Sequence, residues 1–175
     1  VIFTETPFEG VFIVDLDRHE DERGFFARTW CDREAEARGI HVDWVQSNLS
    51  HNRLRGTLRG MHYQFPEWEA KLVHVVRGAI FDAIVDLRPD SSTYLRHFVV
   101  ELSSANGRQL LIPEGFAHGF VSLDDETDVS YQMSAFYDSA QARGFRWDDP
   151  RFAIPWPPGT KILSDRDRRL PLFQP

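Results

Sequence analysis

The grouping of apolar residues constrains this chain more than any other feature. Runs of four to nine residues rich in Val, Ile, Phe and Tyr are broken again and again by Gly, Pro, Asp and Ser. Such a run crosses a sheet once and is too short to bury the apolar stripe of a helix. The runs fall at residues 11–16, 24–30, 71–76, 79–87, 95–102, 109–112, 119–123 and 129–136, and the segment 57–64 is strand-like as well. One stretch, 32–38, reads as a helix, with Asp32 placed to cap its start and Gly39 its end. No repeat, low-complexity tract or linker interrupts the series. The expectation is one all-β domain over residues 1–175, a closed sandwich or barrel with one or two short helices.

Charge narrows the function classes. Against 27 Asp and Glu the chain has 20 Lys and Arg, a net charge of −7. Non-specific nucleic-acid binding needs a broad basic field, so no nucleic-acid partner is expected. A few arginines in one pocket still suffice for an anionic ligand. The one cysteine, Cys31, excludes an internal disulfide and fits a reducing compartment. No apolar run approaches the roughly 18–20 residues of a membrane span, and the N-terminus has no signal-peptide pattern. A cytoplasmic protein without a membrane partner is the expectation.

Several strand-like segments carry polar residues where a core would be apolar. Asp82 and Asp86 share a strand face with Ile80 and Ile84. An unpaired buried carboxylate is costly, so that face is either solvated or lines a polar cavity. Arg59, His62 and Gln64 lie close together, with Lys71 and His74 soon after. This concentration points to a site inside a barrel.

The segment Pro113-Glu114-Gly115-Phe116-Ala117-His118 has the pattern Pro-x-Gly-x-x-His between two strands. It resembles the second motif of the cupin superfamily, whose fold is a double-stranded β-helix, or jelly roll. In metal cupins that His is a ligand beside a His-x-His motif. Here the matching segment is Gly60-Met61-His62-Tyr63-Gln64, with Gln64 in place of the second His and Glu67 and Glu69 in a following loop. Two histidines and an amide are a weak donor set for zinc or iron, and no metal site is expected.

A more specific resemblance covers residues 21–167. Asp21-Glu22-Arg23-Gly24-Phe25-Phe26, Gln46-Ser47-Asn48, Leu58 to Gln64, Lys71-Leu72-Val73, Arg77 to Asp82, Val85 to Arg88, Ile112 to Phe120, Arg146 to Pro150 and Ser164 to Asp167 stand in the order of the dTDP-4-dehydrorhamnose 3,5-epimerases. These are metal-free cupins of nucleotide-sugar biosynthesis. The resemblance implies epimerisation at C3 and/or C5 of a nucleotide-linked 4-keto-6-deoxyhexose through an enolate, with no cofactor. It implies His62 as the base, Asp167 as its carboxylate partner, Lys71 as the cation at the C4 oxygen and Tyr131 as the acid, with Tyr137 competing for that last role. For the nucleotide diphosphate and sugar it implies Arg23, Gln46, Asn48, Arg59 and His118. Phe26, with Phe136 or Tyr137, would supply aromatic faces for the base. It further implies a homodimer whose N-terminal strand pairs with the second subunit.

Two residues depart from the family pattern: Arg28 stands where a Glu is usual, and Ser47 where an Asp is usual. Both concern the nucleotide, leaving the identity of the base open. Alternative readings are a metal cupin using His62, Gln64 or Glu69, and His118, and a non-catalytic sugar-nucleotide binding module.

Overall fold

The computed structural model describes residues 1–175. Thirteen strands and two short helices follow in the order β1 (Ile2–Glu5), β2 (Phe12–Asp15), β3 (His19–Asp21), β4 (Gly24–Phe26), α1 (Asp32–Glu36), β5 (Gln46–Asn52), β6 (Leu58–Gln64), β7 (Lys71–Arg77), β8 (Ala79–Asp86), β9 (His97–Ser103), β10 (Gln109–Ile112), β11 (Phe116–Ser122), β12 (Thr127–Met133), β13 (Ala142–Gly144) and α2 (Asp165–Arg168). One sheet runs β1-β2-β10-β7-β12-β5, a second runs β13-β6-β11-β8-β9, and β3-β4 form a separate hairpin. The two large sheets face each other as a jelly roll requires. No helix is long and apolar enough to cross a membrane.

Strand alternation explains the core. Val73 and Val75 of β7, Leu110 and Ile112 of β10 and Val129 of β12 face Ile80 and Ile84 of β8 and Phe116 and Phe120 of β11. The opposite face of the first sheet packs Val14, Leu72 and Leu111 against Ala35 of α1. The opposite face of the second packs Met61, Val85 and Ala117 under Phe145 and Phe152. The central strands are thus covered on both faces, which is why they read as near-continuous apolar runs.

Several expectations are corrected. The strand expected over 24–30 stops at Phe26, and the helix stops at Glu36. Asp32 does not cap α1. Cys31 occupies that position without a side-chain bond, and Asp32 accepts from Trp30 Nε1. The strands β3, β5 and β13 fall in none of the expected runs, and of the one or two short helices expected only α1 lies in a stretch that reads as helical. The N-terminal strand β1 pairs with β2 of its own chain and forms the outer edge of the first sheet. Asp82, Asp86, Ile80 and Ile84 share a face, but it is neither solvated nor cavity-lining: it is buried against the apolar core. Asp86 is satisfied there by Arg88, Ser91 and Thr93.

Candidate active site

A cavity of about 370 Å³ opens between the two large sheets. The second sheet contributes Arg59 and His62 from β6, His118 from β11 and Arg143 from β13. From the first come Gln46 and Asn48 of β5, Lys71 of β7 and Tyr131 of β12. Glu69, Tyr137 and Arg166 reach it from loops and α2.

His62 has a built partner. Its Nε2 lies 2.7 Å from Asp167 Oδ1, and the Asp167 side chain is 5% exposed. The carboxylate is brought there by α2, whose N-cap Ser164 accepts the Asp167 N–H at 3.1 Å. A Ser three residues before an acid is a helix-start signal, and it was available in the sequence. Burial acts to raise the Asp167 carboxyl. The His62 hydrogen bond and charge, the Gly60 N–H and Arg166 overcome it and hold the group below the usual carboxylate range. An ionised Asp167 accepts from Nε2–H, which leaves Nδ1 as the basic nitrogen.

His118 lies directly opposite His62 across the β6–β11 ladder and has a carboxylate of its own, Asp82 Oδ1 at 2.7 Å. Asp82 is fully buried and its second oxygen has no hydrogen-bond partner. Burial pushes its carboxyl up, and His118 and Lys71 offset only part of that. The strands come this close because Gly60 and Gly119 face each other. A Cβ on Gly60 would stand 2.5 Å from Gly119 Cα.

On the facing sheet, Lys71 is 9% exposed and lies 2.7 Å from Glu69 Oε1. Tyr131 is half-buried; burial raises its phenol despite the nearby Arg59, so it carries its proton at neutral pH. Arg59 is oriented from behind by Asn52 Oδ1 at 2.9 Å and the His51 carbonyl at 3.2 Å. With Arg143 and Arg166 it gives the cavity a cationic mouth on a chain of net charge −7. Gln46 donates to Asn48 Oδ1 at 3.0 Å and accepts the Tyr137 N–H at 3.1 Å. No group of three or more His, Cys, Asp and Glu side chains converges. The donors of the metal reading are each engaged elsewhere, Gln64 with the Phe136 carbonyl and the Asp138 N–H.

The structure therefore brings together His62, Lys71, Tyr131, Asp167, Gln46, Asn48, Arg59, His118 and Tyr137. Two expected residues lie apart. Arg23 and Phe26 stand on the β3–β4 hairpin, 85% and 75% exposed, with Arg23 paired to Asp21. Arg28 is also away from the cavity, paired with Glu34, and Ser47 is exposed on β5. Arg143, Arg166 and the pairing of Glu69 were missed.

A sequence model of the dTDP-4-dehydrorhamnose 3,5-epimerases matches residues 5–175. The chain belongs to this family. The family's enzymes are isomerases, and its cupin-type jelly roll is the fold described above. The dTDP-4-dehydrorhamnose 3,5-epimerase of Methanothermobacter thermautotrophicus is 42% identical over 169 residues, covering 95% of this chain and 91% of the relative. The dTDP-4-dehydrorhamnose 3-epimerase of Streptomyces niveus is 41% identical over 162 residues, or 91% and 78% of the two chains. Among solved structures, the Bacillus anthracis 3,5-epimerase, with TDP and pyrophosphate bound, superposes with a TM-score of 0.95 at 42% identity. That match covers 98% of this chain and 99% of the other. Sugar-nucleotide epimerisation is the activity this family membership supports.

Proposed function

We propose that this chain, acting as one domain over residues 1–175, inverts C3 and C5 of a dTDP-linked 4-keto-6-deoxyhexose in the cytoplasm. The observation that carries the reading is the His62–Asp167 pair at 2.7 Å, in one cavity with Lys71 and Tyr131. Both carbons flank the C4 ketone, so removing either proton gives an enolate. His62 Nδ1 takes the proton while the C–H electron pair moves through the new double bond onto the C4 oxygen. Asp167 stabilises the imidazolium that results. Lys71 donates to the oxyanion, where charge develops only as the proton leaves, and such a donor is worth about 3–4 kcal/mol in comparable sites. Tyr131 then returns a proton to the same carbon. His62 comes from one sheet and Tyr131 from the other, so base and acid meet the sugar from opposite faces, as inversion demands.

Arg59, backed by Asn52, meets the diphosphate, for which a planar guanidinium fork is suited. Gln46, Asn48 and His118 hold the sugar, and Tyr137 stacks on the base. Arg23 and Phe26 serve the cavity of a second copy, which makes the working form a homodimer. Their exposure on a projecting hairpin supports this.

The test is incubation with dTDP-4-keto-6-deoxyglucose in heavy water, read by mass spectrometry and proton NMR. Deuterium at both C3 and C5, abolished in His62→Ala, is expected. Label at one carbon would reduce the activity to a mono-epimerase. No label above the buffer control, with the fold intact, would overturn the reading in favour of a binding module or another nucleotide.

A further inference from the structure

Glu69 has no part in the proton transfers described above, yet its side chain is only 4% exposed. A carboxylate that deep must be compensated. Oε1 lies 2.7 Å from Lys71 Nζ, and Oε2 accepts the backbone N–H of Gln64 at 3.2 Å. Gln64 ends β6, two residues beyond His62, while Lys71 begins β7. Those strands belong to different sheets. One carboxylate thus ties the strand carrying the base to the side chain of the cation across the gap between them. The loop that presents it is pinned. Ala70 N–H donates to Ser134 Oγ at 2.8 Å, and Ser134 N–H donates to the Ala70 carbonyl at 3.1 Å. Glu69 is also the one carboxylate within 4.0 Å of Lys71 Nζ, while Asp82 turns Oδ1 to His118.

We propose that Glu69 is a positioning residue for the enolate step, holding the Lys71 ammonium at a fixed place and at a fixed separation from His62. The inference rests on Lys71 being the group that meets the C4 oxygen. A lysine is a point charge on a flexible four-carbon stem, and without an anchor its head samples many rotamers. The oxyanion exists only beyond the ground state, so losing the anchor weakens transition-state binding and leaves substrate binding nearly untouched.

The experiment compares Glu69→Gln, Glu69→Asp, Lys71→Met and the double variant Glu69→Gln/Lys71→Met by steady-state epimerisation, with folding checked by circular dichroism and Tm. Glu69→Gln is expected to lower kcat at least about tenfold with KM within about threefold of wild type, the pattern of an interaction made only in the transition state. Glu69→Asp keeps the charge and is expected to recover part of that loss. In the Lys71→Met background the Gln substitution should cost nothing further, since residues acting as a unit are not additive. A wild-type kcat in Glu69→Gln, a rise confined to KM, or an additive loss in the double variant overturns the proposal. Full kcat in Lys71→Met would instead overturn the enolate role of Lys71 itself. If Glu69→Gln does not fold, Lys71→Met and the double variant decide, because the double variant removes both charges and Lys71→Met leaves the Glu69 carboxylate its bond from the Gln64 N–H. Equal kcat supports the coupling, and a further drop removes it.

Discussion

Replacing Asp167 with asparagine removes one negative charge and leaves the side-chain outline unchanged. The cap from Ser164 and the 2.7 Å contact with His62 define where the new amide must sit. Two losses follow. A hydrogen bond to a charged group contributes about 1.5–3 kcal/mol, and here the charge matters most once His62 has taken a proton. Losing it from the transition state is a fall of about 10- to 150-fold in kcat. The second loss concerns the tautomer. A carboxylate can only accept from Nε2–H, whereas an amide can present its NH2 to Nε2 and move the ring proton to Nδ1, the nitrogen that must be basic. The same substitution in a serine-protease dyad costs about 10⁴ for that reason. The expected kcat for Asp167→Asn is therefore at least tenfold and at most about 10⁴-fold below wild type, measured as deuterium incorporation at C3 and C5. Stability gives a second readout. Asp167 is held below the usual carboxylate range, so the folded state binds its proton less tightly than the unfolded chain does. Its contribution is present above an unfolded pKa of about 3.9 and is lost as pH falls through the lower folded value. The Tm deficit of the variant should be largest at neutral pH and shrink in acid. A folded variant whose exchange rate stays within about threefold of wild type would refute the assignment, since that is less than a tenfold, ~1.4 kcal/mol effect.

Other perturbations address the remaining parts. Tyr131→Phe should lower net inversion by about 10²–10⁴, the usual range for a positioned acid, while His62-dependent deuterium exchange with retention continues; inversion at the wild-type rate would transfer the role to Tyr137. Gly60→Ala forces a Cβ to within 2.5 Å of Gly119 Cα at a φ of +135°. That strain is on the order of 3 kcal/mol, a Tm fall of about 6–12 °C for a chain of this size, and an unchanged Tm would show the strands have room. Arg23→Ala and His62→Ala, each inactive alone, should regain activity when mixed under conditions that exchange subunits. Failure to complement, with exchange verified, would place Arg23 outside a shared site.

Much of this was readable in the sequence, though unevenly. Local signals located the inner strands, because β-branched runs between turn residues mean the same thing in any context. The edge and hairpin elements were harder. β5 reads Gln-Ser-Asn-Leu-Ser-His-Asn, nearly all polar, and becomes a strand because β12 offers it a ladder over seven residues. The helix α2 is four residues long and all four are charged, so no apolar periodicity marks it. His62 and Asp167 are 105 residues apart, so no local spacing could announce their contact; only the resemblance did. Arg143 and Arg166 were overlooked because an exposed arginine carries no mark until the fold turns it toward a cavity.

The face proposed for catalysis and the core come from one alternation. Along β7 the inward positions are Lys71, Val73 and Val75, and along β12 they are Val129, Tyr131 and Met133. Along β8 they are Ile80, Asp82 and Ile84, and along β11 Phe116, His118 and Phe120. Each inward face thus mixes apolar residues, which lock the register, with one polar residue or, on β8, with the two carboxylates Asp82 and Asp86. A slip of one residue would move the whole inward set to the other face of the sheet. Val73 and Val129 are fully buried, so any slip that displaced Lys71 or Tyr131 would also empty the core. The precision that proton transfer requires is in this way guarded by hydrophobic burial, at roughly 1.5–3 kcal/mol for each buried side chain. This explains how isolated polar residues on otherwise apolar strands can be held in place by the packing of their neighbours.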